Sequence, residues 1–259
     1  MKIVNRKFNL SNRLNKKIVL ISDIHYSSKA DIKKLNKLVD NIKLINPDYI
    51  CISGDLIDIA YVKDDDYLIS FLTKLGLITK TIISIGNHEF YIDKKRNIYG
   101  LNKNLLNKIS NIYNIYLLDN KCILLDNINF IGITLEIEGY TNSNYMNIDL
   151  NRYINKKYYN VLLFHSPLNI ELLLKNYNID LVLCGHMHGG VTPNILKKIL
   201  KGRGIISPVR KLFPKYAYGL KKYNNTSIIT TSGITILSNI NKFRSFNKFF
   251  KSEIVIINI

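Results

Sequence analysis

No stretch of the 259-residue chain is apolar for long enough to span a bilayer. The basic amino-terminal segment MKIVNRKFNLSNRLNKK has no apolar core of the kind that marks a secretory signal. Both absences lead to the expectation of a soluble, cytoplasmic chain. Cysteine is scarce: Cys51, Cys122 and Cys184 are far apart and form no C-x-x-C pair, which argues against a disulfide framework and a structural zinc site. Cys51 and Cys184 lie in apolar runs and read as buried thiols. Carboxylates are few, 19 against 37 Lys and Arg, giving a formal net charge of +18. Much of this excess matches a general richness in Lys, Asn and Ile. The shortage is local, however: after Asp180 the next acid is Glu253, and thirteen basic residues stand between them. That third of the chain is expected to face something anionic.

What is present is a strand–helix alternation. KKIVLISD (16–23), DYICIS (48–53) and KTIISI (80–85) read as buried strands. Between them, residues 31–45 carry Ile32, Leu35, Leu38, Val39 and Ile42 at helical spacing, ending at the Asn-Pro of 46–47, and 64–76 form a second helix with carboxylates at its start. The pattern predicts parallel strands with crossover helices. Residues 114–134 read as an antiparallel meander of three strands turning near Asn120 and Asn127. A helix at about 147–157, a strand at 160–165, a helix at 168–176 and a strand at 180–185 follow. Residues 194–222 read as irregular and basic, and 226–233 and 253–259 as closing strands. No repeat and no linker divides the chain, so one domain over 1–259 is expected.

The chemistry gathers at the strand ends. The first strand runs into Asp23-Ile24-His25, the second into Gly54-Asp55-Leu56-Ile57-Asp58, and the third into Gly86-Asn87-His88-Glu89. Two later strands end in His165 and in Gly185-His186-Met187-His188. In open α/β sheets, ligands bind just beyond the carboxyl ends of the strands. All five histidines of the chain lie at these tips, whereas structural histidines would be scattered. In an extended segment residues i and i+2 point the same way, so Asp-x-His and His-x-His would each aim two ligands at one cavity. Imidazole with carboxylate and amide oxygen suits Zn, Mn or Fe. Seven candidate ligands (Asp23, His25, Asp55, Asn87, His165, His186 and His188) are too many for one tetrahedral ion and about right for two. A carboxylate such as Asp55 can bridge them.

D-x-H, G-D-x-x-D, G-N-H-E, a lone His and G-H-x-H, in that order over residues 23–188, resemble the calcineurin-like metallophosphoesterase superfamily. The resemblance implies a four-layer α-β-β-α sandwich with two mixed sheets, and a metal site at the carboxyl ends of the strands. It also implies two divalent ions, Asp23, His25 and His188 holding one, Asn87, His165 and His186 the other, with Asp55 bridging. The implied reaction is hydrolysis of a phosphodiester or pyrophosphate by metal-hydroxide attack. His88 would protonate the leaving oxygen or stabilise the phosphoryl group, and Asp58 would orient His88. Ile59-Ala60 stand where Ser/Thr protein phosphatases carry Arg-Gly, which argues against that branch.

GHMHGG, YGL (218–220), TSG (231–233) and the terminal SEIVIINI are more similar to bacterial phosphodiesterases related to UDP-2,3-diacylglucosamine pyrophosphatases. Met187, Val191 and Ser252 depart from that branch's usual Thr, Gln and Pro. A lipid-linked or nucleotide substrate follows from the likeness. The basic and apolar segment 195–222 suits a lipid headgroup or peripheral contact with an anionic membrane. Arg203, Arg210 and Arg244 are candidate phosphate contacts. The alternatives are a nuclease or cyclic-nucleotide phosphodiesterase, for which the basic charge leaves nucleic acid open as a partner, and a non-catalytic scaffold, which would be expected to have lost ligands. No obligate protein partner is implied.

Overall fold

The computed structural model describes residues 3–11, 13–27, 30–58, 65–93, 98–137, 139–142, 148–193, 196, 199–207, 212–234 and 252–259. The strands are β1 (Ile3–Asn9), β2 (Lys17–Ile21), β3 (Tyr49–Ser53), β4 (Lys80–Ser84), β5 (Phe90–Asp93), β6 (Ile98–Leu101) and β7 (Ile115–Leu118) in the first half. In the second half they are β8 (Lys121–Leu125), β9 (Ile128–Gly132), β10 (Tyr159–Leu163), β11 (Leu181–Cys184), β12 (Gly219–Tyr223), β13 (Thr226–Thr230) and β14 (Ser252–Asn258). The helices are α1 (Ile32–Ile45), α2 (Asp66–Ile78), α3 (Lys103–Ser110) and the short α4 (Gly139–Asn142) and α5 (Ile170–Leu174).

Two six-stranded mixed sheets carry the fold. The first has the order β1-β14-β2-β3-β4-β7, parallel from β2 to β7, with β14 antiparallel to β2. The second has the order β12-β13-β11-β10-β9-β8, parallel from β13 to β9 and closed by an antiparallel strand at each edge. The strand alternation of period two explains how they stack. Ile18, Leu20, Tyr49, Cys51 and Ile82 of the first sheet pack against Phe130, Val161, Leu163, Leu181 and Leu183 of the second. Their neighbours Val19, Ile21, Ile50, Ile52 and Ile83 point the other way, onto the apolar faces of α1, α2 and α3. On the far side, Leu162, Val182 and Ile228 meet Ile170, Leu173 and Leu174 of α5. The result is the four-layer α-β-β-α sandwich. Strands buried on both faces read as continuous apolar runs, which is why they stood out in the sequence.

The ends of α1 have local causes. The Asp31 side chain accepts from the Lys34 amide as an N-cap, and Asn46, at φ 50°, ends the helix in the left-handed conformation before Pro47. Cys51 and Cys184 are buried and Cys122 is exposed.

Four expectations need correction. The meander over 114–134 does not form. β7 joins the first sheet beside β4, and only β8 and β9 make a hairpin, in the second sheet. The tight turn at Asn120 therefore carries the chain from one sheet to the other. The left-handed pair Asp126-Asn127, at φ 45° and 67°, is the true hairpin turn. The helix at 147–157 is a single 3-10 turn, Leu150–Arg152; residue 147 lies outside the described residues. Asp149 and Asn155 accept hydrogen bonds from the amides two residues on, and Asn160 accepts from the Asn155 amide. Such local bonds compete with a helix ladder. Residues 219–222, the end of the stretch expected to be irregular, form β12 together with Tyr223. Finally, β1 and α3 were not anticipated. β1 is an edge strand of half-buried side chains and gains its definition from the parallel ladder with β14.

Candidate metal centre

The tips of β2, β3 and β4 in the first sheet and of β10 and β11 in the second lie at the same end of the sandwich. Two bonds lock the sheets together there. Ser53 Oγ donates to the Leu183 carbonyl at 2.7 Å, and His165 Nδ1 lies 2.7 Å from the Ser53 carbonyl. The His186 amide also donates to both Asp23 carboxylate oxygens, at 3.0 and 3.1 Å.

The predicted site residues come together in three overlapping groups. Asp23, His25 and His188 form one, Asp55, His165 and His186 another, and His25, Asp55 and His88 a third; within each, the nearest ligand atoms lie within 4.8 Å of one another. Asp55 belongs to two of them: its Oδ2 is 3.1 Å from His165 Nε2 and 3.8 Å from His25 Nε2. His88 is placed on the rim, its Nδ1 3.5 Å from Asp58 and its ring edge-on to His25. Arg203 is exposed, its Nη1 3.5 Å from the Phe213 carbonyl; Arg210 and Arg244 lie outside the described residues.

The backbone that aims these side chains is not extended, so strand alternation does not account for the paired ligands as expected. Asp23, His25, Asp55, His186 and His188 all have positive φ, between 45° and 65°. Left-handed backbone at a non-glycine residue costs on the order of 1 kcal/mol or more and tends to gather at functional sites. Two left-handed residues flanking one buried residue produce the pairing instead. Ile24 and Met187, the intervening residues, are both fully buried in apolar clusters. The close approach also demands glycine. Gly54, at φ +75°, packs against the His165 ring where a Cβ would collide, and Gly185 packs in the same way on Asp23 and Ser22.

Electrostatics separate the histidines. Burial pushes His25 down to about 4, against the pull of Asp55. Burial and the neighbouring His165 push His186 down to about 3. Both present neutral imidazoles at pH 7. Burial would also depress His165, but the adjacent Asp55 outweighs it and holds the imidazole up at about 9. Asp55 is held well below the usual carboxylate range: burial opposes this, and His165, His25 and His88 together prevail. Burial would lower His88, yet its Asp58 hydrogen bond and the charge of Asp55 raise it to about 8.

Three buried polar atoms in this site have no hydrogen-bond partner: Asn87 Oδ1, His165 Nε2 and His186 Nε2. His165 Nε2 is close to Asp55 without hydrogen-bond geometry. Buried polar atoms are rarely left unpaired. Asn87 Oδ1 and the neutral His186 imidazole are converging acceptors, and His165 Nε2 joins them once a cation displaces its proton; beside an acceptor-only carboxylate, this nitrogen–oxygen donor set fits a divalent transition metal. The residues therefore fit metal ions.

Two supporting residues had no assigned role from the sequence, although loop support was the reading open for Glu89. Glu89, fully buried, accepts from the amides of Gly86 and Asp55 through Oε2 and from that of Ile57 through Oε1, at 2.5 to 3.2 Å. It thereby fixes the loop that carries Asp55. Burial and the nearby Asp55 charge raise it to about 7. Glu253, on β14, pairs with Arg6 of β1 at 2.6 Å and accepts from the Ser232 amide at 2.8 Å. Its own amide donates to the Gly233 carbonyl, and Gly233 packs on Asp23. A signal for Glu253 was present in the sequence: it is the lone carboxylate that ends the acid-free third.

The fold and site together define a four-layer α/β sandwich with a candidate metal centre, lined by histidines and carboxylates, at its strand ends. Residues 16–190 match the model of the calcineurin-like phosphoesterase family, and the chain belongs to that family. It is similar to an uncharacterized metallophosphoesterase of Campylobacter jejuni, with 30% identity over 246 residues, 94% of this chain and 59% of that protein. It thus spans little more than half the length of that relative. A shorter likeness, 30% over 84 residues, covers 32% of this chain and 26% of the UDP-2,3-diacylglucosamine pyrophosphatase LpxG of Chlamydia muridarum. Among solved structures, protein TT1561 of Thermus thermophilus shares the fold, with a TM-score of 0.51 and 14% identity, over 84% of this chain and 89% of that one.

Proposed function

We propose that the protein is a dinuclear metal-dependent phosphoesterase that hydrolyses a phosphodiester or pyrophosphate bond. The observation that carries this reading is the adjacent pair of ligand clusters, Asp55-His165-His186 and Asp23-His25-His188, with Asp55 3.8 Å from His25 between them and buried Asn87, His165 and His186 atoms that lack any other partner. Asp23, His25 and His188 would hold one ion, Asn87, His165 and His186 the other, and Asp55 both. Bound there, divalent ions would supply Lewis acidity at the phosphoryl group and an ionised water near neutral pH.

The side chains around them have separable roles. Asp55, anionic and buried, offsets the positive charge gathered at the centre. The Ser53 carbonyl fixes the His165 ring through Nδ1, so that Nε2 faces the site. Glu89 and Glu253 hold the loops behind Asp55 and Asp23. His88 is the proton donor to the leaving oxygen: it lies on the open rim and Asp58 sits at its other ring nitrogen. The raised affinity of His88 for its proton keeps the imidazole charged at neutral pH before ions bind, and bound cations would draw it down again.

The likeness to LpxG supports a lipid-linked nucleotide among the substrates. Manganese, zinc and iron are the ions to try. The test is hydrolysis of bis-p-nitrophenyl phosphate by metal-reconstituted protein, followed by a panel of UDP-linked lipid, cyclic nucleotide and RNA. Metal-dependent cleavage that His186→Ala abolishes is expected. No cleavage by the reconstituted protein, or equal cleavage by His186→Ala, would contradict the reading.

A further inference from the structure

Beside the site lies a lobe with an unusual surface. The amides of Ile205 and Ile206 both donate to the Gly190 carbonyl, at 2.8 and 3.1 Å, and Phe213 N donates to the Ile205 carbonyl at 2.9 Å. Ile206 pairs with Leu212, and Ala217 N donates to Gly202. Segments 199–207 and 212–217 are thereby folded onto the turn that carries His188. On this lobe large apolar side chains face solvent: Ile199 is 72% exposed, Leu212 69% and Phe213 55%, with Val191 at 39% beside them. Exposed Lys201 and Arg203 accompany them, as does Lys215, whose Nζ lies 3.5 Å from Glu171 Oε1. From 191 to 222 the sequence holds nine Lys or Arg and no carboxylate.

We propose that this lobe docks the protein on an anionic phospholipid surface, with Ile199, Leu212 and Phe213 entering the acyl boundary and the surrounding Lys and Arg meeting the headgroups. Charge complementarity selects that occupant. A second copy would set one predominantly basic face, whose neighbouring carboxylate Glu171 is already engaged by Lys215 and Tyr216, against another, because a two-fold interface brings like patches together. A nucleic acid would satisfy the cations but offer aliphatic side chains no partner. A bilayer satisfies both. No helix among the described residues is long and apolar enough to cross a membrane, and the proposed contact is a peripheral one made by this lobe. Docking there would turn the His188 rim toward the bilayer. The inference goes beyond the hydrolase reading and does not depend on it, since vesicle binding needs no catalysis.

The absence of tryptophan makes the test clean. Phe213→Trp places a single reporter on the lobe, and Leu124→Trp places one on β8, at the far edge of the second sheet and 47% exposed at present. With vesicles containing phosphatidylglycerol, emission at 213 should shift to the blue and that at 124 should not. Phosphatidylcholine alone should produce no shift, and about 1 M salt, where the screening length falls to about 3 Å, should weaken the response. The double variant Leu212→Glu/Phe213→Glu should partition onto the anionic vesicles at least about tenfold more weakly. Its hydrolysis of a soluble ester should match the unmodified chain, which controls for folding. No shift at 213, equal shifts at both positions, a shift with RNA but not vesicles, or unchanged partition of the double variant would overturn the proposal.

Discussion

Asp55 groups with His165 and His186 and lies 3.8 Å from His25 of the neighbouring Asp23-His25-His188 group, and these two clusters of candidate ligands differ in how they are enclosed. His165 and His186 are buried, and their Nε2 atoms have no other partner. The second cluster opens outward: His188 has 43% of its side chain exposed, His25 stacks on it at 5.3 Å, and His88, 41% exposed, borders both. An enclosed, unsatisfied donor set gains most from a cation and releases it least readily. An open one exchanges ligands with water, as a position that must admit a phosphoryl group requires. On the proposed reading, the inner cluster would anchor its ion and the outer cluster would admit the phosphoryl group.

Removing what both halves share should have the gravest consequence. Asp55→Asn should lower kcat/KM by roughly a thousandfold or more, since several kcal/mol of charge stabilisation depend on it. The same variant should lose bound metal from both positions on dialysis, measured by elemental analysis. Next comes the contrast between the halves. His186→Ala should leave the inner ion undetectable and activity unrestored by excess metal. His188→Ala should weaken the outer ion but recover activity as metal is added. Equal behaviour of the two variants would dissolve the distinction.

A smaller effect is expected behind the ligands. Glu89→Gln deprives one of three buried amides of its acceptor, so a stability loss of about 1–3 kcal/mol should appear in thermal melts. Loosening of the Asp55 loop should cost about 10–100-fold in kcat/KM. Glu253→Gln should act in the same direction through the Gly233 loop on Asp23.

The weakest response lies at the opposite end of the sandwich. There the Tyr49 hydroxyl donates to Asp126 at 2.6 Å, and Lys80 and Lys16 lie 3.7 and 3.6 Å from the same carboxylate. The tyrosine bond first, then the two lysines, hold Asp126 below its usual range. A carboxyl depressed on folding stabilises the protein above its unfolded value, about 3.9, and loses that contribution as pH falls through the folded value. Asp126→Asn should flatten the acid limb of the stability curve below about pH 4, by less than about 1 kcal/mol given its exposure. No change in activity at neutral pH is expected.

What could be read in advance follows the same inside–outside division. The buried parallel strands and α1 were legible because burial on both faces, or on one helical stripe, forces an apolar pattern. Five strand ends carrying every histidine were legible because ligand chemistry needs particular residue types. The roles of Glu89 and Glu253 were only hinted at, by the G-N-H-E motif and by the lone acid after the basic stretch, since a carboxylate that binds backbone amides looks like any other carboxylate until the loops are folded around it. β1, β12 and the sheet-to-sheet turn at Asn120 escaped because their side chains are half-exposed and their partners are distant in sequence. The left-handed backbone at Asp23, His25, His186 and His188 leaves only a weak trace in residue type, because Asp and His are enriched in that region yet mostly lie elsewhere.

If two divalent ions sharing Asp55 make this site hydrolytic, metal content and activity must rise together. Metal-stripped protein titrated with manganese or zinc reads both on the same samples, as metal bound per chain and as hydrolysis of bis-p-nitrophenyl phosphate. Two ions per chain are expected, with hydrolysis rising as the second binds. Saturation at a single ion with full activity, or hydrolysis that does not follow metal content, would refute the dinuclear centre.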